Sequence, residues 1–445
     1  MSGIELPRGW VRQSLGEVLD DIVGGGTPSK DVERYFQGSI PLMTVKDMKT
    51  PRPSETGFNI TEEALANSSA RLIPADTIVI ATRMGLGKVV RPKMATAINQ
   101  DLKALFPSAA LDKSFLEKWL TSVASDIEAM GTGTTVKGVR LSQVRALPIP
   151  LPPLNEQRRI VEKIETLFAR LDKGEEAVRQ VQTLLARYRQ SVLKAAVTGQ
   201  LTADWRAETG APDWEEISLG DVTDFLTSGS RGWAKYYADA GDIFIRAQNL
   251  KHDRLDLSDI AFVSLPGKSE GMRTRVQKGD VLITITGANV TKTALVEEDL
   301  GTAYVSQHVA LFRPTNEILP DFLYWFLITK SEGRKQLEEA AYGAGKPGLN
   351  LQNIRDVRVG LPTLEEQAII VDRIRDVLSS QEAVAVDGAI QLKRSASLRQ
   401  SILRQAFAGR LVPQDPTDEP ATTLLACIKA ETTTPKRGRQ PRASR

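Results

Sequence analysis

Leu151-Pro-Pro-Leu-Asn-Glu-Gln157 opens a stretch that closes on Arg189-Gln-Ser-Val-Leu193 and Gly199-Gln-Leu201, and the chain then repeats it as Leu361-Pro-Thr-Leu-Glu-Glu-Gln367, Arg399-Gln-Ser-Ile-Leu403 and Gly409-Arg-Leu411. The offset stays at 210 residues from Gln157/Gln367 to Gly199/Gly409. A duplication that holds register without a gap, while the sequence between its copies differs, describes two equivalent supports carrying two non-equivalent modules.

The supports read as long helices. Pro152 and Pro153 end the preceding extended run and Asn155 can cap, while Ile160, Ile164, Leu167, Leu171, Val178, Val181, Leu185, Tyr188, Val192 and Ala195 recur at three- and four-residue steps, interrupted by Gly174. In the second copy the equivalent column is polar at Gln381, Gly388 and Ser395, and the apolar stripe moves to Ile370, Val377, Leu378, Val384, Ala385, Leu392 and Leu398. About 40 residues at 1.5 Å each give a rod of roughly 60 Å, long enough to act as a ruler and too narrow-striped to stand without a partner. Each helix is the obvious partner of the other. Antiparallel pairing would give near two-fold symmetry, whereas parallel pairing would set the modules side by side.

Outward from the helices the repeat continues with drift. Gly-Trp10 and Ser14-Leu-Gly-Glu-Val18 match Asp-Trp214 and Ser218-Leu-Gly-Asp-Val222; Asp76-Thr-Ile-Val-Ile-Ala-Thr82 matches Asp280-Val-Leu-Ile-Thr-Ile-Thr286. The offset shifts from 204 to 207 to 210, so insertions fall in the modules and not in the helices. Short β-branched runs at 77–81, 281–285 and 303–305 read as strands, and Ser114 to Leu120 and Asp321 to Leu327 read as short helices opened by a capping residue. The fold class expected is α/β in the mixed α+β sense. Its segments are a first module at 1–150, a helical spacer at 151–202, a second module at 203–360, a second spacer at 361–412, and a short helix with a basic tail at 413–445.

Composition narrows the function. With 445 residues, 41% hydrophobic and 25% charged, the chain has room for several cores and no apolar run near the roughly 18 residues a membrane span needs, so a cytoplasmic protein is expected. Cys427, His252 and His308 make neither a disulfide nor a recognisable metal set. The net charge of +3 includes five basic residues from Lys436 to Arg445, leaving −2 on the rest, so any nucleic-acid surface must be a local patch; the tail itself reads as solvated and disordered. No active site is recognisable. Thr286-Gly-Ala-Asn-Val-Thr-Lys292 has Thr291 where a P-loop needs Gly before its Lys, and amino-methyltransferase tetrapeptides are missing.

The modules instead offer polar and basic side chains in matched loops: Lys46, Asp47, Arg83, Lys88, Arg91 and Lys93 in the first, Arg246, Gln248, Asn249, Arg273, Arg275 and Lys292 in the second. Gln100 in the first module matches Gln307, with His308 beside it, in the second. Arg, Lys, Asn and Gln are the side chains that read base edges, and the remaining cations neutralise phosphates. A glycine-rich loop precedes each support, carrying Lys137 in Gly131-Thr-Gly-Thr-Thr-Val-Lys-Gly138 and Lys346 in Gly343-Ala-Gly-Lys-Pro-Gly348, and its backbone amides suit phosphate contact.

The Leu-Pro-x-Leu-x-Glu-Gln segment, the long helix ending in Arg-Gln-Ser-x-Leu and Gly-x-Leu, and the two divergent modules together resemble the specificity (S) subunit of Type I restriction-modification enzymes over nearly the whole chain. That resemblance implies two target recognition domains separated by an antiparallel helical pair with pseudo-two-fold symmetry, each reading one half of an asymmetric, split double-stranded DNA site. It implies no catalysis and no cofactor in this chain. Two methyltransferase subunits would methylate adenine N6 with S-adenosylmethionine, and two restriction subunits would cleave with ATP and Mg. Glu156, Gln157, Phe168, Tyr188, Glu366, Gln367 and Phe407 are the candidate contacts to those subunits. The alternatives are a coiled-coil scaffold and a single-chain DNA-modifying enzyme with an unrecognised active site.

Overall fold

A computed structural model describes residues 5–133, 136–229, 231–266, 273–343 and 347–433. It divides into two compact units, Met1–Glu176 with Gln391–Arg445, and Ala177–Ile390. The division falls within both long helices, Leu154–Val197 and Leu364–Phe407, each an unbroken 44 residues.

Each unit contains a module of two four-stranded sheets, alike in the first sheet and different at the edges of the second. In the first module, Leu19–Gly24, Leu102–Pro107, Ile78–Ala81 and Val89–Val90 form one antiparallel sheet in that order. A second sheet orders Phe58–Ile60, Ile40–Met43, Thr96–Ile98 and Arg71–Ile73, with Ile40–Met43 parallel to Thr96–Ile98. The second module repeats the first sheet with Thr223–Ser228, Val309–Pro314, Val281–Thr284 and Thr293–Leu295; its second sheet orders Tyr237–Ala238, Ala261–Val263, Asp242–Ile245 and Ala303–Val305, so the parallel pair of Asp242–Ile245 and Ala303–Val305 lies at an edge, and an isolated Arg275–Tyr304 bridge takes the place of the strand Arg71–Ile73. Ile78–Ala81 and Val281–Thr284 are buried at every position, which is why they read as continuous β-branched runs. The short module helices start differently from expectation. Asp112, not Ser114, caps Lys113–Ser122 by accepting from the Phe115 N–H, and Asp321 lies inside Pro320–Ile328, behind a proline in its first turn.

The repeated Leu-Pro segment is the last strand of each module and the first turn of its helix. Val11–Ser14 pairs antiparallel with Pro148–Leu151, and Glu215–Ser218 with Arg358–Leu361, so the chain leaves each module beside the point where it entered. Both helices begin at the fourth residue of the motif, placing Asn155 inside the first turn.

The Glu-Gln pairs then fasten helix to module. Gln157 accepts from the Asp112 N–H (2.7 Å) and donates to the carbonyls of Ala110 and Pro152 (2.9 and 3.0 Å). Gln367 makes the equivalent set, accepting from Leu319 and donating to Glu317 and Pro362. Glu156 accepts from the Trp10 indole (3.0 Å) and Gln414 (3.2 Å); Glu366 accepts from the Trp214 indole (2.9 Å), Thr202 (2.6 Å) and the Arg206 guanidinium. Gly199 and Gly409 sit just beyond the helix ends at φ +78° and +68°, where their carbonyls accept from Arg206 and Gln414 respectively. One buried carboxylate per unit thus joins the module's first tryptophan, one long helix, and the segment that follows the other helix.

These bonds correct an expectation. Glu156, Gln157, Glu366 and Gln367 were candidates for contact with other subunits, yet all are at most 1% exposed and their polar groups are satisfied within the unit. Phe407 is also interior, edge-on to Phe115 at 5.2 Å in the first unit's core.

Within each unit the helix segments run antiparallel. In the first unit Phe168 packs with Ile402 and Leu403, and in the second Leu193 and Val197 share a core with Ile370 and Ile374. The polar column of the second helix turns out to be its seam. Gly388 faces Val178, where an added Cβ would come within 3.2 Å of a valine methyl, and Ser395 is buried with its hydroxyl 2.7 Å from Glu175. Arg399 pairs with Asp172 (2.7 Å) and Glu175 (2.9 Å) and stacks over Phe168 at 5.1 Å. Val384 and Leu398, expected on the apolar stripe, are instead 47% and 41% exposed. Polar seam positions that pair with one another fix register, as they do in coiled coils generally.

Because Glu366 holds a cation and Glu156 does not, their removal separates in magnitude. Glu366→Ala strands the Arg206 guanidinium and is expected to cost about 3 kcal/mol, against about 2 kcal/mol for Glu156→Ala, which loses two neutral donors. Urea unfolding of the full chain checks the order.

Candidate nucleic-acid interface

In the first module three loops meet. The strand Ile40–Met43 ends in a 3-10 turn, Val45–Asp47, closed by Asp47, which accepts from the Thr44 N–H (2.7 Å) and hydroxyl (2.8 Å) and from the Gly57 N–H (2.8 Å). Asp47 is therefore the brace of the turn and Lys46 the exposed side chain it presents. The second loop, 83–88, follows strand Ile78–Ala81 and carries exposed Arg83 and Lys88. Gly85, at φ +142°, approaches Val45 so closely that an added Cβ would lie 2.6 Å from its methyl. The third is the glycine-rich loop: Thr132 and Gly138 exchange N–H···O bonds of 3.0 and 2.9 Å, and Gly138 bridges to Arg83. Lys137 is exposed at that turn, and Arg83 lies 3.8 Å from Asp101. Gln100 is exposed nearby in sequence, its Oε1 accepting from Thr27 at 2.6 Å.

The second module builds the same junction from different residues. Strand Asp242–Ile245 leads to the turn Ala247–Asn249; Asn289, in the loop after Val281–Thr284, donates to the Ala247 carbonyl (3.3 Å); and Gly287 donates to Pro347 of the glycine-rich loop (3.2 Å). The Tyr342–Gly348 exchange and the Thr286–Gly348 bridge reproduce the first module's closure. His308 hydrogen-bonds Thr286 through Nδ1 and meets Gln307 at Nε2 (3.2 Å). Lys346 lies outside the described residues, as does the basic tail from 434.

Candidate side chains differ in how available they are. Lys46, Arg83, Lys88, Gln100, Lys137, Gln248 and Gln307 are exposed, and Lys292 and His308 are half-buried. Asn249 is 1% exposed and fully engaged: its amide donates to the Asp256 and Asp259 carbonyls and its oxygen accepts from the Arg246 N–H. Arg246 donates to the Asp259 carbonyl (2.9 Å) and pairs with its carboxylate (3.3 Å), which also accepts from Gln248 (2.8 Å). Asp259, absent from the sequence-based candidates, thus orients both candidate side chains; it lies in the segment between the 247–249 turn and strand Ala261–Val263, where no motif points to it. Arg91 is structural. Its guanidinium grips Asp76 (2.7 Å) and Glu117 (3.1 Å), and Glu117 also holds Arg52.

Those ion pairs pin the loops from behind. Arg52 ties the segment following the Lys46 turn to the helix Lys113–Ser122 through Glu117, whose carboxyl stays below its ordinary range because two guanidiniums overcome the opposing effect of burial. In the second module the polarity is reversed: Asp253, at the tip of the hairpin following the 247–249 turn, is held by Arg334 and by the Tyr324 hydroxyl on its carbonyl (2.7 Å). Burial pushes Tyr324 up to about 12, so it remains a donor. Among the described residues no cluster of metal-binding side chains occurs, and no helix is long and apolar enough to cross a membrane.

Comparison with known proteins places this architecture. The family described as "Type I restriction modification DNA specificity domain" matches twice, over residues 7–179 and 212–384. The chain is similar to the Type I restriction enzyme EcoKI specificity subunit of Escherichia coli (strain K12), 26% identical over 97% of each chain, and to the EcoBI specificity subunit of Escherichia coli, 30% identical over 72% of each. Two solved structures share the fold at 21% identity. One, from work on the "complex assembly and conformational transition of the type I R-M system", gives a TM-score of 0.66 with 92% of this chain and 100% of that chain covered. The other, the HsdS subunit from Thermoanaerobacter tengcongensis, gives 0.57 with 92% and 99% covered.

The Arg91 grip sets an acid limit. Its bond to Asp76, helped by Lys113, lowers that carboxyl from 3.8 to about 2, so the pair's stabilisation is complete above about pH 4 and is lost as pH falls towards 2. Asp76→Asn is therefore expected to flatten the acid limb of a thermal-melt profile across that window and to leave the neutral-pH profile parallel to that of the parent.

Proposed function

The chain belongs to the family of Type I restriction-modification DNA specificity proteins, and from that premise we propose that it is the sequence-reading subunit of such an enzyme. Each module reads one half of a split double-stranded DNA target, through Lys46, Arg83, Lys88, Gln100 and Lys137 in the first and Arg246, Gln248, Lys292, Gln307, His308 and Lys346 in the second. The observation that carries this reading is the paired loop junction: the same three loops converge in both modules, on the same scaffold, with different side chains. Similar scaffolds with different reading residues give an asymmetric bipartite target. Exposed Arg and Gln suit base edges, while Lys and the glycine-rich turns suit phosphates.

The chain makes no bond and breaks none. The long helices set the gap between half-sites and dock two methyltransferase subunits, which modify adenine N6 with S-adenosylmethionine; two restriction subunits supply ATP- and Mg-dependent cleavage. The cytoplasm, where DNA and these cosubstrates are available, is its compartment. With Glu156, Gln157, Glu366, Gln367 and Phe407 interior, docking falls to other helix residues, of which Tyr188, 54% exposed, and half-buried Phe168 are the two remaining sequence-based candidates.

Base-resolution mapping of modified adenines, in cells with and without the chain, tests the assignment: modification should require the chain and fall on a split site. Modification that persists without it, or falls on a continuous site, contradicts the reading. A finer expectation concerns Asp259. Asp259→Ala releases the Arg246 and Gln248 side chains and should broaden base preference in one half-site while the other half and the gap stay unchanged in the same map.

A further inference from the structure

We propose that the second unit carries a phosphate-binding cleft, formed by Arg189 of the long helix with Lys292, Lys330 and Arg334 of the module, that holds a backbone phosphate of bound DNA. This inference rests on the DNA-reading assignment above but concerns a site behind the loop junction, with which it shares Lys292.

The cleft encloses about 560 Å³ between Arg189 on the long helix, the hairpin tip at His252 and Asp253, Lys292, and the segment carrying Lys330 and Arg334. Four cations line it against two acids, Asp253 and Glu338. Among the described residues Arg189, Lys292 and Lys330 have no ion pair. Arg334 is 4% exposed; its terminal nitrogen holds Asp253, but its Nε is buried with no hydrogen-bond partner. A buried guanidinium N–H left unsatisfied beside unpaired ammonium groups calls for an acceptor-rich anion, and a tetrahedral oxyanion supplies several acceptors at once.

The duplication gives an independent argument. Arg399, the counterpart of Arg189 at the 210-residue offset, is neutralised by Asp172 and Glu175 and capped by Phe168. At the same offset Glu175 becomes Ala385, and Asp172 becomes Glu382; both line a neighbouring cavity with Arg189, and neither pairs with it. The repeat kept the arginine and dropped its strongest local partner. In the first unit the residue locks a helix seam, whereas in the second its charge faces the cleft.

Phosphate could arrive as DNA or as a free anion. The cleft backs onto the reading loop: Lys292 belongs to that loop, Asn289 braces the Ala247 turn, and the Thr293 N–H donates to Asp253 at 3.2 Å. A duplex engaged by that loop brings its backbone to these cations, which would contribute affinity and placement but no sequence information.

The salt dependence of DNA binding reads this contact directly, because each neutralised phosphate contributes about 0.9 to the slope of log K against log salt. The full chain is titrated with a random-sequence duplex of roughly 30 base pairs between about 50 and 200 mM salt. Arg189→Met is expected to flatten the slope by about 0.9. Ala385→Glu, which restores the missing partner without removing any cleft residue, should flatten it likewise while the melting temperature holds or rises. An unchanged slope in both folded variants overturns the site. So does a slope change accompanied by an altered half-site in the adenine map, which would make Arg189 a reading residue. If millimolar inorganic phosphate raises the melting temperature of the parent but not of Arg189→Met, with equal DNA slopes, the cleft takes a free anion and the DNA assignment of the cleft fails, leaving the reading of the modules intact. Failure of the parent chain to bind the duplex at the lowest salt instead removes the DNA-reading assignment and the cleft's role with it.

Discussion

Everything in each unit is built around one buried carboxylate and the glutamine beside it. Glu156 and Glu366 hold the indole of the module's first tryptophan and the chain beyond the other helix; Gln157 and Gln367 hold the loop before the module's own helix. Removing charged and amide groups from water is costly, and the cost is met here only because every polar atom of the four side chains finds a partner. Glu156 still registers that burial, which raises its carboxyl above the ordinary range despite bonds from Gln414 and Trp10. Such a node tolerates little change, which is a physical reason for the repeat to keep register there and to drift in the loops.

The symmetry stops short of identity, and the differences are where chemistry differs. Val178 and Gly388 face each other at equivalent positions of the two helices, a contact the duplication maps onto itself. On the first unit's side of that contact the seam is polar, with Glu175, Ser395 and Arg399 bonded together; in the second unit the corresponding residues are Ala385, Leu185 and Arg189. A similar reversal operates behind the candidate DNA-facing loops, where Glu117 receives arginines in one module and Asp253 is received by an arginine in the other. Mechanically equivalent pins built with opposite charge leave the scaffold alike and the surrounding potential different.

Much of this was legible in the sequence. The offset located both helices, and the β-branched runs located the central strands, because burial on both faces of a strand leaves an unmistakable apolar run. The helix seam was misread for an equally physical reason: periodicity ranks apolar residues, and the inward column of the second helix contains half-buried Gln381 and Gly388 and buried Ser395, the last two fitted against a valine and a glutamate of the other helix. The Glu-Gln motif was recognised but assigned outward, since a repeated charged pair looks like a docking surface until its partners, distant in sequence, are known. Asn249 and Arg91 have the right chemistry for DNA and are committed to the fold; Asp259 carries no sequence signal at all.

A repeated framework thus holds the chain, and the divergent loops are the proposed readers of DNA. The most direct test exchanges residues 212–360 for the corresponding segment of another family member and maps modified adenines in cells carrying the partner subunits. One half of the split site should change to that of the donor, with the other half and the gap between them retained. A change in both halves, or in the gap, would contradict it.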